Sequence, residues 1–367
     1  MREDTGLLFD FDMSKFDEFE FHHWPDLPVD VKIKILEYIP FPTLRNFMFL
    51  SKESYSLVTR LRTLVFNITL CDMDNFDKVQ NFVELSISWP RPGPPMRMKT
   101  SKYYILHFVE DGEGGCFAER VIEKKGRKFM YAGVRYNRSA RFVALSTLFH
   151  FSTYMDIRAM YFGLSALDPE EEQVLMAQPT TTLIAKDEFA ITTGASAIVS
   201  PFLRFLQPGC HLKVYPLREQ EGFFLDTPFF DSTVVHASQA IYFDFTTGAT
   251  DDQIVLFRGY DLTMSVPNVT AKAINRIILE WMEGKREINV YCLKGLQNIT
   301  KTEILRDVEI VPWEKFLTMI YNGDWWGLRS NEGQQGTGLY NGTRFLIVLF
   351  ETDSCQLLDP YYCEKEQ

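Results

Sequence analysis

The order of hydrophobic and polar residues changes along the chain, and residues 24–64 follow the helical period. The sequence predicts three short helices there, in the segments VDVKIKILEYI, TLRNFMFLS and KESYSLVTRLRT. Pro28 suits the first turn of the first helix, and Pro40 ends it. Three helices of this length form a small core, which is rarely stable in isolation.

The first of these helices carries apolar residues on two sides. When residues are placed about 100° apart from Val29 onward, two stripes result. The stripes are Val29, Ile33 and Leu36, and then Val31, Ile35, Tyr38 and Ile39. A helix that covers an ordinary small core needs only one apolar stripe. The second stripe therefore needs another surface, from the rest of the chain or from a partner.

Residues 64–151 have the composition of short strands joined by turns. The predicted strands lie in TLVFNITL, NFVELSISW, YYILHFV, ERVIEKKGRKFMYAGVRY and RFVALSTLFHF. A breaker cluster at 90–95 separates the second strand from the third. The basic run 125–128 (KGRK) is typical of a charged hairpin tip.

From about residue 180 a strand–helix–strand order occurs twice, about seventy residues apart. The first copy is TTLIAKDEFAI, GASAIVSPFLRFL and HLKVYPL, and the second is QIVLFRGYDL, TAKAINRIILEWMEG and INVYCL. Thr270 suits the N-cap of the second helix and Gly284 its C-terminal end. Stacked units of this kind pair their strands in parallel and would form a leucine-rich-repeat-like β/α arc. DVEIVPW and RFLIVLFE would extend the sheet. The fold class is therefore α+β.

Composition narrows the class of protein. The 367 residues are 46% hydrophobic and 24% charged, which suits a globular chain of two or three units. No apolar run is long enough for a membrane-spanning helix, and the acidic first residues do not form a secretory signal. The six cysteines contain no CxxC pair, which favours reduced thiols. We expect an intracellular protein, in the cytoplasm, the nucleus or both, with no contact to a membrane.

The net charge of −11 is unevenly distributed. Residues 1–26 hold 8 acids and 2 bases, whereas residues 91–141 hold 5 acids and 12 bases. An acidic chain is poorly suited to general nucleic-acid binding, which depends on neutralising phosphates. The basic segment 91–141 nevertheless keeps a nucleic-acid-binding module as an alternative.

The sequence carries no recognisable catalytic pattern. No HExxH, GxSxG or phosphate-loop motif occurs, and the glycine cluster 333–338 does not fit GxGxxG. We therefore predict no catalytic residue, no metal site and no cofactor. Trp325 and Trp326 precede the glycine cluster, and two interpretations stay open. They either contact a substrate, as large aromatics often do, or pack against the end of the sheet.

The order of residues in the first helices resembles the F-box motif. That motif runs LP-x-[DE]-V, then IL, a proline-bearing break, L-R and a terminal SK. This chain has Leu27-Pro28-Val29-Asp30-Val31, then Ile35-Leu36, Pro40, Leu44-Arg45 and Ser51-Lys52. An aromatic residue often stands two positions after SK, whereas this chain has Ser54 there and Tyr55 one position later.

A second resemblance lies in the back half. The segments FRGYDL at 257–262, NR at 275–276 and WMEGK at 281–285 are similar to the F-box-associated domain of nematode F-box proteins. The two resemblances divide the chain into a disordered acidic tail (1–23), a three-helix F-box (24–66) and a larger F-box-associated, substrate-recruiting domain (67–367).

These resemblances imply a non-catalytic substrate adaptor of an SCF-type ubiquitin ligase. The F-box would bind a Skp-type adaptor and, through it, a cullin, while the C-terminal domain holds an unknown protein substrate. The implied adaptor contacts are Leu27, Pro28, Val31, Ile35, Ile39, Leu44 and Ser51. The alternatives are an F-box scaffold that works outside a ligase and the nucleic-acid-binding module.

Overall fold

A computed structural model gives the fold. It describes residues 24–39, 41–48, 50–61, 63–74, 78–89, 102–124, 127–152, 155–179, 183–217, 222–312, 315, 337–350 and 353–360. The predicted tail 1–23 and the predicted substrate contacts Trp325 and Trp326 lie outside these residues.

The chain is a mixed α/β protein that divides into two compact units, Met1–Lys186 and Asp187–Gln367. The division falls inside the range 67–367, for which the sequence predicted one domain. The first strand begins at Thr63, so the helical region at the N-terminus passes directly into the sheet of the first unit.

The first unit begins with three helices and continues into a sheet. Its helices are α1 (Val29–Glu37), α2 (Phe41–Met48), α3 (Lys52–Val58), α4 (Ala140–Ser152) and α5 (Pro169–Ala177). Its strands are β1 (Thr63–Asp74), β2 (Lys78–Trp89), β3 (Lys102–Glu110), β4 (Cys116–Lys124), β5 (Arg127–Tyr136) and β6 (Met155–Leu164). The strand order is β6-β1-β2-β3-β4-β5, in which β1 to β5 are antiparallel neighbours and β6 runs parallel to β1.

The segment 141–151 was predicted to be a strand, and this prediction is wrong, because the segment belongs to α4. The Oγ of Ser139 accepts a hydrogen bond from the amide of Phe142 at 3.2 Å, which starts the helix. The buried residues of α4, among them Val143, Leu145 and Phe149, cover more than half of its circumference. A helix buried over so wide an arc lacks the narrow apolar stripe by which a helix is recognised in a sequence.

The second unit alternates strands and helices. Its strands are β7 (Ala185–Thr193), β8 (His211–Pro216), β9 (Ala240–Thr246), β10 (Asp261–Ser265), β11 (Val290–Lys294), β12 (Thr337–Tyr340), β13 (Phe345–Phe350) and β14 (Cys355–Leu358). Its helices are α6 (Val199–Phe202), α7 (Thr233–His236), α8 (Asp251–Leu256), α9 (Ala271–Met282) and α10 (Lys301–Ile304). The strands β7 to β11 are parallel and adjacent in chain order, and β14, β13 and β12 follow β11 in antiparallel pairs.

The predicted strand–helix–strand order is confirmed in this unit, and it repeats more often than the sequence suggested. Helical segments separate every pair of successive parallel strands, including β8, β9 and β10, which the duplication had not covered. In α9 the predicted N-cap Thr270 accepts a hydrogen bond from the amide of Lys272 at 3.3 Å. The predicted apolar stripe of this helix, from Ile274 to Trp281, is buried, and Gly284 follows it with a φ of +71°.

Two strand predictions in this unit need correction. The first half of QIVLFRGYDL belongs to α8, because the amide of Thr250 donates to the side chain of Gln253 at 3.0 Å and acidic residues fill the first turn. DVEIVPW forms no strand in its described residues and contributes a single bridge between Val311 and Gly338. The strand predicted in RFLIVLFE is confirmed as β13.

Candidate partner-binding surface on the N-terminal helices

The helices α1 to α3 enclose their own small core. Its buried residues are Leu36, Leu44, Met48, Leu57, Val58 and Leu61. Four partly buried residues pack against them: Trp24, Ile33, Ile39 and Phe47. The face of α1 that carries Ile33 and Leu36 is therefore used inside this bundle, as the first predicted stripe requires.

Local signals in the sequence fix the ends of these helices. Pro28 precedes α1 with a φ of −55°, close to the value a helix needs. The Oγ of Ser51 accepts a hydrogen bond from the amide of Ser54 at 3.0 Å and caps α3. Ser54 is buried and its hydroxyl lies 2.9 Å from that of Ser51. The departure from the usual F-box pattern at this position thus contributes to the cap.

A second apolar surface lies on α1, away from the core. Val31 is 41% exposed, Ile35 38% and Tyr38 80%, and all three belong to the second predicted stripe. The fourth member, Ile39, instead packs against the core. Val29, which the sequence placed on the first stripe, is 44% exposed. We call Val31, Ile35 and Tyr38 the α1 strip.

The other predicted adaptor contacts lie in different environments. Pro28 and Ser51 are exposed, and Leu27 is half-buried. Leu44 is 3% exposed and belongs to the core, so it supports the bundle from inside. Leu50 and Tyr55 were not among the predicted adaptor contacts, although both are about half exposed. The sequence signal that could have identified them is their position, since one precedes the Ser51 cap and the other follows it.

Charged residues form the side of α1 next to the α1 strip. Lys34 and Glu37 pair at 3.0 Å, and this hydrogen bond and charge raise the pKa of Lys34. Lys34 is therefore a fully charged, exposed neighbour of Ile35. It offers a matched control position for substitutions in the strip.

The three N-terminal helices match a known protein family. Residues 24–66 match the F-box domain family, so an F-box domain stands at the N-terminal end of the sheet-bearing chain. Neither a curated protein nor a solved structure matches the chain. F-box domains typically bind Skp-type adaptors, and F-box proteins are generally non-catalytic adaptors.

The described residues also bear on metal binding, membrane insertion and thiol reactivity. Among them, no three His, Cys, Asp or Glu side chains are grouped so that they could hold a metal ion. Within the same residues, every helix is too short or too polar to cross a bilayer. Burial raises the pKa of the Cys116, Cys210 and Cys355 thiols to about 12, which leaves these cysteines as protonated core residues.

Proposed function

We propose that this protein is a substrate-recognition adaptor of an SCF-type ubiquitin ligase. The F-box at 24–66 binds a Skp-type adaptor and, through it, a cullin. The observation that carries the proposal is the α1 strip: three apolar side chains exposed on one face of a helix whose other face already fills its own core. An exposed apolar patch on a small domain is typical of a protein-binding site.

The α1 strip supplies the binding energy through burial of apolar area. Removing such area from water contributes about 25 cal/mol per Å². Ile35 lies between Val31 and Tyr38 in the strip, where interface residues usually contribute most to affinity. Leu27 and Pro28 lead into the same helix end, and Ile39, Leu44 and Ser51 hold the helices in place from the core and the cap.

The rest of the chain recruits the substrate under this proposal. The segments at 257–262, 275–276 and 281–285 support an F-box-associated domain of the nematode type. The parallel run β7 to β11 supports a leucine-rich-repeat-like arc, whose open strand face would be a docking surface. Trp325 and Trp326 are proposed substrate contacts, because large aromatics anchor protein interfaces.

The contribution of this chain to ubiquitin transfer is positional. Holding a substrate beside the ubiquitin-loaded enzyme replaces an encounter in solution with one inside a complex, an effect worth roughly 7–11 kcal/mol in ideal cases. No side chain of this protein needs to act as an acid, base or nucleophile. The proposed compartments are the cytoplasm and the nucleus, where the other ligase subunits would meet it.

The test replaces Ile35 with aspartate in the full chain. A charge buried in an apolar contact without a partner is costly, so Ile35→Asp should weaken binding of a purified Skp-type adaptor by at least about a hundredfold. Lys34→Asp places the same side chain on the neighbouring polar side and should bind like the wild type. Calorimetry measures both affinities, and circular dichroism checks that both variants are folded. Equal adaptor binding by the wild type and a folded Ile35→Asp protein would sink the proposal.

A reconstituted ligase separates this function from a non-ligase scaffold. The complex of adaptor, cullin, RING subunit and this chain is incubated with substrates recovered by affinity purification. Ubiquitination that requires Ile35 supports the ligase role. Stable assembly without any transfer to a bound partner assigns the chain to the scaffold class.

A further inference from the structure

The inward face of α1 holds a charged residue. Lys32 and Leu36 are the buried residues of this helix, and they lie one turn apart on the same side. The side chain of Lys32 is only 5% exposed. One buried anchor of α1 is therefore an ammonium group, whereas the other is an ordinary apolar side chain.

Three groups hold the Lys32 ammonium in place. It donates to Oε1 of Glu53 on α3 at 2.6 Å and to the carbonyl oxygen of Pro25 at 3.3 Å. It also lies 5.7 Å from the ring centre of Trp24, and this ring packs edge-on against Phe47 of α2 at 5.5 Å. The charged anchor thus ties α1 to α3 and, through Trp24, to α2.

The contacts of Lys32 differ from apolar packing because they have a direction. A hydrogen bond weakens steeply when its angle is distorted, whereas the hydrophobic effect is non-directional. Leu36 by itself tolerates small rotations and shifts of α1 against the core. Pro28 has no side-chain oxygen and cannot cap the first turn of α1 as Ser51 caps α3. Lys32 therefore supplies directional contacts to the N-terminal half of α1.

The α1 strip is displaced from the two anchors by one residue. Val31 precedes Lys32 and Ile35 precedes Leu36, so each anchor has a strip residue beside it. Successive residues of a helix are about 100° apart around its axis. A rotation of α1 that shifts the anchors moves the exposed side chains of the strip by the same angle. The contacts of Lys32 thereby determine where the strip points.

We infer that the ion pair between Lys32 and Glu53 positions the α1 strip for the Skp-type adaptor. The inference rests on the proposed function, which makes that adaptor the partner of the strip. A buried ion pair adds little net stability, because the lost hydration of the two charges offsets their attraction. Its contribution is the fixed angle and register of α1, which an apolar anchor does not impose.

The two partners of the ion pair differ in their access to the adaptor. The side chain of Glu53 is 53% exposed, so a change there alters both the ion pair and the surface of the bundle. Lys32 is buried and acts on the adaptor only through α1. Lys32→Met is therefore the informative variant, since methionine keeps an unbranched chain and removes the charge.

The first experiment compares Lys32→Met with a core variant, Val58→Ala, in the full chain. Calorimetry measures adaptor affinity, and hydrogen exchange of the α3 amides reports the stability of the bundle. Lys32→Met should lower the affinity about tenfold and leave α3 exchange nearly unchanged. Val58→Ala removes apolar volume from the same core, so it should speed α3 exchange and keep the affinity. Wild-type affinity in a folded Lys32→Met protein overturns the inference.

The second experiment restores the charge. Lys32→Arg keeps a cation that can pair with the carboxylate of Glu53, and it should bind the adaptor within about threefold of the wild type. Binding by a folded Lys32→Arg protein as weak as that of Lys32→Met shows that the charge does not position α1. Weak binding by Glu53→Gln together with wild-type binding by Lys32→Met assigns Glu53 to a direct adaptor contact. Each of these two results contradicts the inference.

The free protein separates this inference from the proposed function. Without adaptor, Lys32→Met should speed exchange of the α1 amides, while the α3 amides exchange as in the wild type. Unchanged exchange in α1 contradicts the positioning role. Failure of the wild type to bind a Skp-type adaptor contradicts the proposed function instead, and exchange in α1 then still decides whether the ion pair fixes the helix.

Discussion

Lys32 on α1 lies 2.6 Å from Glu53 on α3, and its side chain is only 5% exposed. Its ammonium group also donates to the carbonyl of Pro25 at 3.3 Å and stands 5.7 Å from the ring centre of Trp24. A buried lysine is stable only when its charge is paired. The ion pair therefore joins the first helix of the F-box to the third.

Removing the negative charge of Glu53 should lower the stability of the bundle more than removing the positive charge of Lys32. Glu53→Gln leaves a buried ammonium group without its carboxylate, whereas Lys32→Met replaces it with an apolar chain of similar length. We expect Glu53→Gln to destabilise α1 to α3 by roughly 1–3 kcal/mol, since Glu53 itself is half exposed, and Lys32→Met to cost less. Hydrogen exchange of the α1 amides measures both. The reverse order would contradict the cost assigned to an unpaired, buried ammonium group.

Leu36 and Ile35 are neighbours on α1 with opposite roles. Leu36 is fully buried among the six residues of the core, so Leu36→Ala should cost about 2–5 kcal/mol and open the bundle. Ile35→Ala removes a similar side chain from the α1 strip and should cost less than about 1 kcal/mol. Exchange rates of the α3 amides report the difference. Similar losses in both variants would contradict the division of α1 into two faces.

Glu280 anchors a network of arginines in the second unit. Arg286, whose side chain is fully buried, lies 3.0 Å from Glu280 and donates to the carbonyl of Phe257 at 2.6 Å and the hydroxyl of Tyr291 at 3.2 Å. Arg258 reaches the same carboxylate at 2.6 Å. Burial raises the pKa of Glu280, but the hydrogen bonds from Arg258 and Arg286 outweigh it and hold that pKa below its ordinary value of 4.5.

This depressed pKa predicts the sign of a pH dependence. A carboxyl group with a lower pKa in the folded state contributes stability above its unfolded pKa and loses it as the pH falls through the folded pKa. Glu280→Gln should therefore destabilise the second unit most near neutral pH, by about 3–5 kcal/mol, with a smaller difference from wild type below about pH 4. Exchange of the α9 amides at both pH values tests this. A constant difference across the range would contradict the assigned role.

Three buried thiols should report the unfolding of the two units. Burial is the main reason that the pKa of Cys116, Cys210 and Cys355 is raised to about 12, so very little thiolate is present at about pH 8. We expect none of them to react with iodoacetamide in the native protein. In increasing urea, Cys210 and Cys355 should become reactive together, because both belong to the second unit. Mass spectrometry of alkylated peptides follows each site, and rapid native labelling of Cys355 would contradict its burial.

Local signals made several features of the chain predictable. The cap at Thr270, the stripe from Ile274 to Trp281 and Gly284 are set by adjacent residues, and the structure has all of them in α9. The order of residues in the F-box and the second apolar stripe of α1 were predictable for the same reason. Each depends on a period or a cap that lies within one helix.

Other features were decided only by the tertiary structure. The strand predicted at 141–151 is the helix α4, because burial over more than half of its circumference hides the helical period. Lys32 lies inside the bundle because Glu53, twenty-one positions further along the chain, neutralises it. A sequence specifies which local shapes are favourable, whereas burial and strand pairing depend on residues that folding brings together from distant parts of the chain.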